Sequence, residues 1–251
     1  MKVIAVNRIT GVVASNENAS YPASNLLDDH PKKVWKGTGA NETLTFTLTG
    51  TTSALAIFNT NATGISFVLS DPNGVVLESG VVLESGVELA TSTPNVTAIV
   101  NLDGSSGAVL VQWDELSSSV TVEATLTNAA GDVLFAGVAT GGKIETFAGP
   151  NFGLTEDIDD LSIDKEYDSG ASYTKDRDSV RVFGLEANME RDTAFHNFIF
   201  DVAKVVKKNP RAWVVTDLDN PRWLAFAKFS RMPSGQHYRR TIVNFELREV
   251  L

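Results

Sequence analysis

Cysteine is absent from this chain, and histidine occurs only three times in 251 residues. The first absence excludes a disulfide framework, a thiolate metal site, a cysteine nucleophile and a redox dithiol. The second leaves His30, His196 and His237, and no two of these have the spacing of metal ligands. No serine lies in a nucleophile-elbow context, so a Ser-His-Asp set could come together only from distant positions. Long apolar runs are missing as well. The opening run 3–6 is far shorter than a signal-peptide core, and nothing later approaches a spanning helix. The expectation is a soluble protein made in a cytoplasm, with no membrane insertion. The sequons at Asn18, Asn41, Asn61 and Asn95 then read as by-products of a Thr/Asn-rich β sequence.

Basic residues are scarce over most of the length. Residues 1–170 hold 7 Lys/Arg against 21 Asp/Glu, whereas residues 171–251 hold 14 against 10, within a net charge of −10. Bulk acidity repels polyanions, so nucleic acid is not an expected partner. The split has two readings: two solvated faces, or head-to-tail contact between copies, acidic part against basic part. With 43% hydrophobic and 21% charged residues, the composition is that of an ordinary globular protein.

Short runs of alternating apolar and polar residues dominate up to about residue 139. Residues 43–49 read TLTFTLT, which places Leu44, Phe46 and Leu48 on one face of a strand. Similar runs occupy 54–58, 64–70, 95–101, 108–113, 119–127 and 132–139, separated by turn sequences such as Asp71-Pro72-Asn73-Gly74. This pattern predicts an antiparallel jelly roll or β-sandwich. The hexapeptide GVVLES occurs at 74–79 and again at 80–85, a tandem duplication that lengthens a hairpin. Near Gly149 the texture changes to glycine and proline, then to acidic residues from Glu156 to Asp168. Beyond it, Phe195, Phe198, Ile199, Val202, Val205 and Val206 recur at helical spacing over 193–208. Asp192 or Thr193 serves as the cap and Asn209-Pro210 as the stop. Strands are expected at 179–189, 211–216, 223–229 and 240–250. The fold expected is mainly β: a jelly-roll domain over 1–148, then a smaller α+β domain over 149–251 with one amphipathic helix on an antiparallel sheet.

Few motifs suggest chemistry. Residues 137–143, GVATGGK, match the spacing of a phosphate-binding loop, but Ile144 replaces the Ser/Thr that would hold magnesium, and no helix follows. The acidic run 156–168 offers carboxylates to calcium without the alternation and central glycine of an EF-hand loop. Trp213 and Trp223 stand among apolar strand residues and read as core. Trp35, beside Lys32, Lys33 and Lys36, reads as an exposed platform for a sugar ring, with Lys33 and Lys36 as neighbouring contacts. No catalytic residue, cofactor or metal site is expected.

Residues 19–58 carry a recognisable pattern. Ala23-Ser24-Asn25-Leu26-Leu27-Asp28, followed by Trp35, the strand ETLTFTL and then SALAIFNTN, resembles the opening of discoidin-type, galactose-binding-like β-sandwich domains. The resemblance implies that Leu26 and Leu27 plug one end of the sandwich while Asn25 and Asp28 cap the turn. The whole layout, with GPNFG, an amphipathic helix and a closing FELREV strand, is similar to structural proteins of tailed bacteriophages, especially baseplate and distal-tail components. That similarity implies a virion structural protein assembled in the host cytoplasm. Its partners would be other tail proteins and further copies of itself, contacted through residues 171–251. A carbohydrate-binding adhesin that grips a host-surface glycan through Trp35 is the alternative. A hydrolase with a scattered active site is a third reading.

Overall fold

The computed structural model describes residues 1–71, 76–83, 97–102, 107–147, 154–166, 172–175, 179–189, 194–215, 223–237 and 241–250. The fold is mainly β, and every strand pairing among these residues is antiparallel.

Two sheets form the sandwich. One has the order β2 (Ile9–Ala14), β4 (Asn41–Leu48), β10 (Val120–Thr127), β6 (Gly64–Ser70), β7 (Val76–Leu83). The other runs β12 (Val138–Gly142), β5 (Thr52–Thr60), β9 (Gly107–Leu116), β8 (Thr97–Asn101). A short pair, β3 (Trp35–Lys36) with β11 (Phe135–Ala136), lies beside them. The period of two in β4 does what it predicts: Leu44, Phe46 and Leu48 are buried, packed with Phe67, Val122 and Val111 from both sheets. Burying each such large side chain contributes about 1.5–3 kcal/mol. The hairpin of β6 and β7 spans the junction of the duplicated hexapeptide, from Gly64↔Leu83 to Ser70↔Val76, while residues 84–96 lie outside the described residues.

The second unit is a seven-stranded sheet. Its order is β13 (Ile144–Thr146), β1 (Lys2–Ile4), β18 (Arg211–Val214), β19 (Leu224–His237), β20 (Thr241–Glu249), β17 (Ser179–Met189), β14 (Thr155–Asp160). Strands β15 (Ile163–Glu166) and β16 (Ser172–Lys175) pair with each other and, among the described residues, join no larger sheet. The division expected at 148/149 is therefore not where the sheets divide. Strand β1 pairs with β13 through Val3↔Glu145 and with β18 through Val3↔Trp213, so both ends of the first segment belong to the second unit. The sandwich, roughly residues 9–142, is an insertion between β1 and β13. The physical reason is burial: Val3 and Ile4 are fully covered only between these neighbours.

One helix covers a face of this sheet, as expected, but its middle is not α-helical. It runs Ala194–Asn197 as α, Phe198–Ala203 as π and Lys204–Val206 as α, with the Lys204 amide bonded to the Ile199 carbonyl five residues back. A π turn takes an extra residue and so rotates the positions after it. Phe198, Val202, Ala203 and Val206 are buried, whereas Val205, expected on the buried stripe, is exposed. Residues 192 and 193, expected to cap the helix, lie outside the described residues. Aromatic rings fill the space beneath: Phe198 lies 5.3 Å from Phe245, and Trp213 5.3 Å from Phe229. Trp213 Nε1 also donates to the Ala227 carbonyl at 3.1 Å.

A third apolar cluster joins the two units. Ala54, Ala56 and Phe58 of β5 and Leu110 of β9 meet Ala212, Val214, Leu224 and Phe226. Strand β5 is thus buried on both faces, since Leu55 and Ile57 face the sandwich interior. The small Ala54 and Ala56 let the sheets approach closely, and Phe58 packs on Phe226 at 5.4 Å. Arg211 adds polar ties, donating from Nε to the Ala5 carbonyl at 3.1 Å and pairing with Asp29 at 3.4 Å.

Candidate interaction surfaces

The phosphate-loop look-alike is strand β12 and its flanks, paired with β5 at the end of a sheet. Its glycines serve close packing: a Cβ on Gly137 would run into the Pro31 carbonyl, and one on Gly142 into the Val6 carbonyl. Lys143 is held by Glu115 at 3.3 Å and Glu145 at 3.7 Å, and these carboxylates raise its pKa, Glu145 most.

The loop end of the sandwich is built around a carboxylate that sequence reasoning missed. Glu42 takes the inward parity of Leu44 at the start of β4 and is buried. Ser15 Oγ donates to its Oε2 at 2.6 Å and Asn16 Nδ2 at 3.2 Å. The amide and hydroxyl of Thr38 both reach Oε1 at 3.2 Å. Burial pushes the Glu42 pKa up, and these hydrogen bonds outweigh it, leaving the carboxyl below its ordinary value. One side chain therefore ties the loop after β2 to the loop before β4. Its signal was legible: counting the alternation of β4 back two residues from Leu44 lands a charge on the core side.

Trp35 corrects the expectation of an exposed sugar platform. It is fully buried in the sandwich core, where Leu26 is buried too, so its ring has no free face for a ligand. Of the implied plug, Leu26 is buried in the core while Leu27 is only half-buried; Asn25 Nδ2 donates to the Val34 carbonyl at 2.9 Å, and the Asp28 amide donates to the Asn25 carbonyl at 3.1 Å. The three lysines beside Trp35 mark the surface end of the loop, not the ring. Lys33 pairs with Asp28 at 2.8 Å, which lowers the Asp28 pKa, and Lys36 Nζ lies 4.4 Å from the centre of the Tyr21 ring. Tyr21 is the partly exposed aromatic here.

The second unit carries two mixed surfaces. On β14, residues Glu156, Ile158 and Asp160 share one side of an edge strand, and Ile158 is 67% exposed. The carboxyl of Asp160 accepts from the Ser162 amide at 2.8 Å, which holds its pKa below the ordinary value. On the outer face of the helix, Phe200 is 55% exposed, with the His196 ring 6.1 Å away and Lys204 Nζ 5.3 Å from its centre. Val205 is exposed beside them. Between the helix end and the sheet, a cleft of about 430 Å³ is lined by Leu161, Val180, Lys208, Lys228, Arg248 and Val250. Arg248 is also paired with Asp159 at 2.5 Å.

Among the described residues, no three or more metal-capable side chains converge, in the acidic stretch or elsewhere. His30 and His196 are exposed on separate units. No helix of the described residues is long and apolar enough to cross a membrane.

No family model matches this chain, and no curated protein matches it. A solved structure of reduced XRCC1 bound to the catalytic domain of DNA polymerase β is similar at 14% identity and a TM-score of 0.38. The match covers 55% of this chain and 97% of that one. Likeness at that level bears on neither family nor function.

Proposed function

We propose that this chain is a virion structural protein, a component of a phage tail or baseplate that works through protein contacts in an oligomeric assembly. The observation that carries the assembly reading is the grouping of exposed apolar and charged side chains on a rigid unit. Ile158 sits among acids at a sheet edge, and Phe200 and Val205 sit among lysines on a helix. Scattered exposed apolar residues are normal in a monomer, but apolar centres rimmed by charge suit contact with a macromolecule. The β15–β16 pair supports the same reading: among the described residues it joins no larger sheet, and a two-stranded pair alone is marginal in water and gains from a partner. The tail setting rests on the resemblance of residues 19–58 and of the overall layout. Negative-stain imaging of the purified chain, alone and with its neighbouring gene products, tests it. Joint particles are expected, and failure to join any neighbour removes the reading.

The alternative, an adhesin for host-surface glycans, keeps one supporting observation: Lys36 lies over the partly exposed ring of Tyr21 at the loop end. A glycan array with the wild type and Tyr21→Ala separates the two. Indifference of both proteins to every sugar removes the adhesin.

A further inference from the structure

Resting on the assembly reading, we infer that the acidic face of β14 in one copy seats against the outer face of the helix in the next copy, a head-to-tail contact. The two surfaces complement each other in sign: exposed apolar side chains lie beside carboxylates on one and beside lysines on the other. Along β14, an exposed isoleucine stands between two carboxylates at i±2, Glu156 and Asp160. Along the helix, exposed Phe200 and Val205 stand with Lys204, and Lys207 follows where the helix ends. Both apolar centres lose water when they meet, and each charge then faces the opposite sign.

Both surfaces also have reasons to be covered. Among the described residues, β14 is the last strand of its sheet, and a helix laid over an edge is one way proteins blunt it. The helix, with its π turn, buries Ala203 and leaves Val205 42% exposed. Arg181, directly across from Ile158 on β17, is neutralised by Glu249, so the β14 side keeps its acidic balance. Asp201, the acid of the helix, lines a small separate cleft with Arg8 and Lys143, while Lys208 lines the cleft of about 430 Å³ with Leu161. Because the two faces are different, the contact is heterologous and repeats from copy to copy, closing into a ring or growing as a filament.

Sedimentation across concentration, at about 50 and about 500 mM salt, reads the contact, since screening weakens charge pairing at the higher salt. The full-length wild type is expected to associate, and to do so about tenfold or more weakly in high salt. Lys204→Glu/Lys207→Glu and Glu156→Lys/Asp160→Lys are each expected to be monomeric alone. Mixing them restores association, because every acidic face then meets a basic one. Thermal melts confirm that each variant is folded, and Asp160→Lys alone replaces the double should Arg181, beside Glu156, lose stability. A wild type that stays monomeric, variants that associate as the wild type does, or a mixture that does not recover each overturn the contact. A monomeric chain that still joins neighbouring gene products overturns the contact and leaves the assembly reading standing. A chain that self-associates in this way but joins no neighbour upholds the contact and removes the tail setting.

Discussion

Glu42 shows how one side chain sets the pH response of the sandwich. Its folded pKa lies below that of the unfolded chain, so its contribution is complete above the unfolded value of about 4.3. The contribution is lost as pH falls through the depressed folded value, because protonation takes away the acceptor that Ser15, Asn16 and Thr38 share. Glu42→Gln is expected to cost about 1–3 kcal/mol at neutral pH, and its melting temperature should converge on that of the wild type in acid. Melts at pH 3 to 7 check both. Trp35 makes the complementary point, since a tryptophan among lysines reads as surface by its neighbours while its strand parity sends it inward. Trp35→Ala should lose about 3–5 kcal/mol in a denaturant titration, whereas Tyr21→Ala should leave stability unchanged. Equal losses would contradict the burial.

At the scale of elements, ties between neighbouring strands matter more than propensity. Arg181 of β17 grips Glu249 of β20 with Nε to Oε2 at 2.9 Å and Nη2 to Oε1 at 2.6 Å. The Arg181 side chain is 30% exposed and that of Glu249 13%, so the pair is only partly desolvated. Glu249→Ala is therefore expected to cost about 1–3 kcal/mol, read by chemical denaturation. The helix ends on Lys207 at φ 52° with ψ −120°, a backbone region that suits glycine. Lys207→Gly should raise stability by about 1 kcal/mol while weakening self-association, two readouts that separate backbone strain from charge. The bounds of β6 and β17 were legible from turn signals and alternation. The length of β19 was not, because Ser230 to Gln236 is polar. That stretch is strand only through pairing with β20, with irregular register around Arg231 and Ser234.

For the whole molecule, the insertion of the sandwich between β1 and β13 predicts joint unfolding. The two units share an apolar interface, and the second unit draws β1 and β13 from outside residues 149–251. Calorimetry should show one transition for the full chain. A fragment of residues 149–251 should fail to fold by circular dichroism, because it lacks β1 against Trp213 and Phe147 against Phe198. Two resolved transitions, or a folded fragment, would show that the interface is weak.

The sequence by itself determined the mainly-β class, most strands and the one helix, because alternation and capping are local and each element carries its own period. Only the tertiary structure decided which strands share a sheet, that Val3 and Ile4 belong with residues two hundred positions away, and that Trp35 is core. It also decided that Val205 faces out after a π turn. These outcomes depend on which surfaces meet, and burial between distant segments leaves no periodic mark on either one.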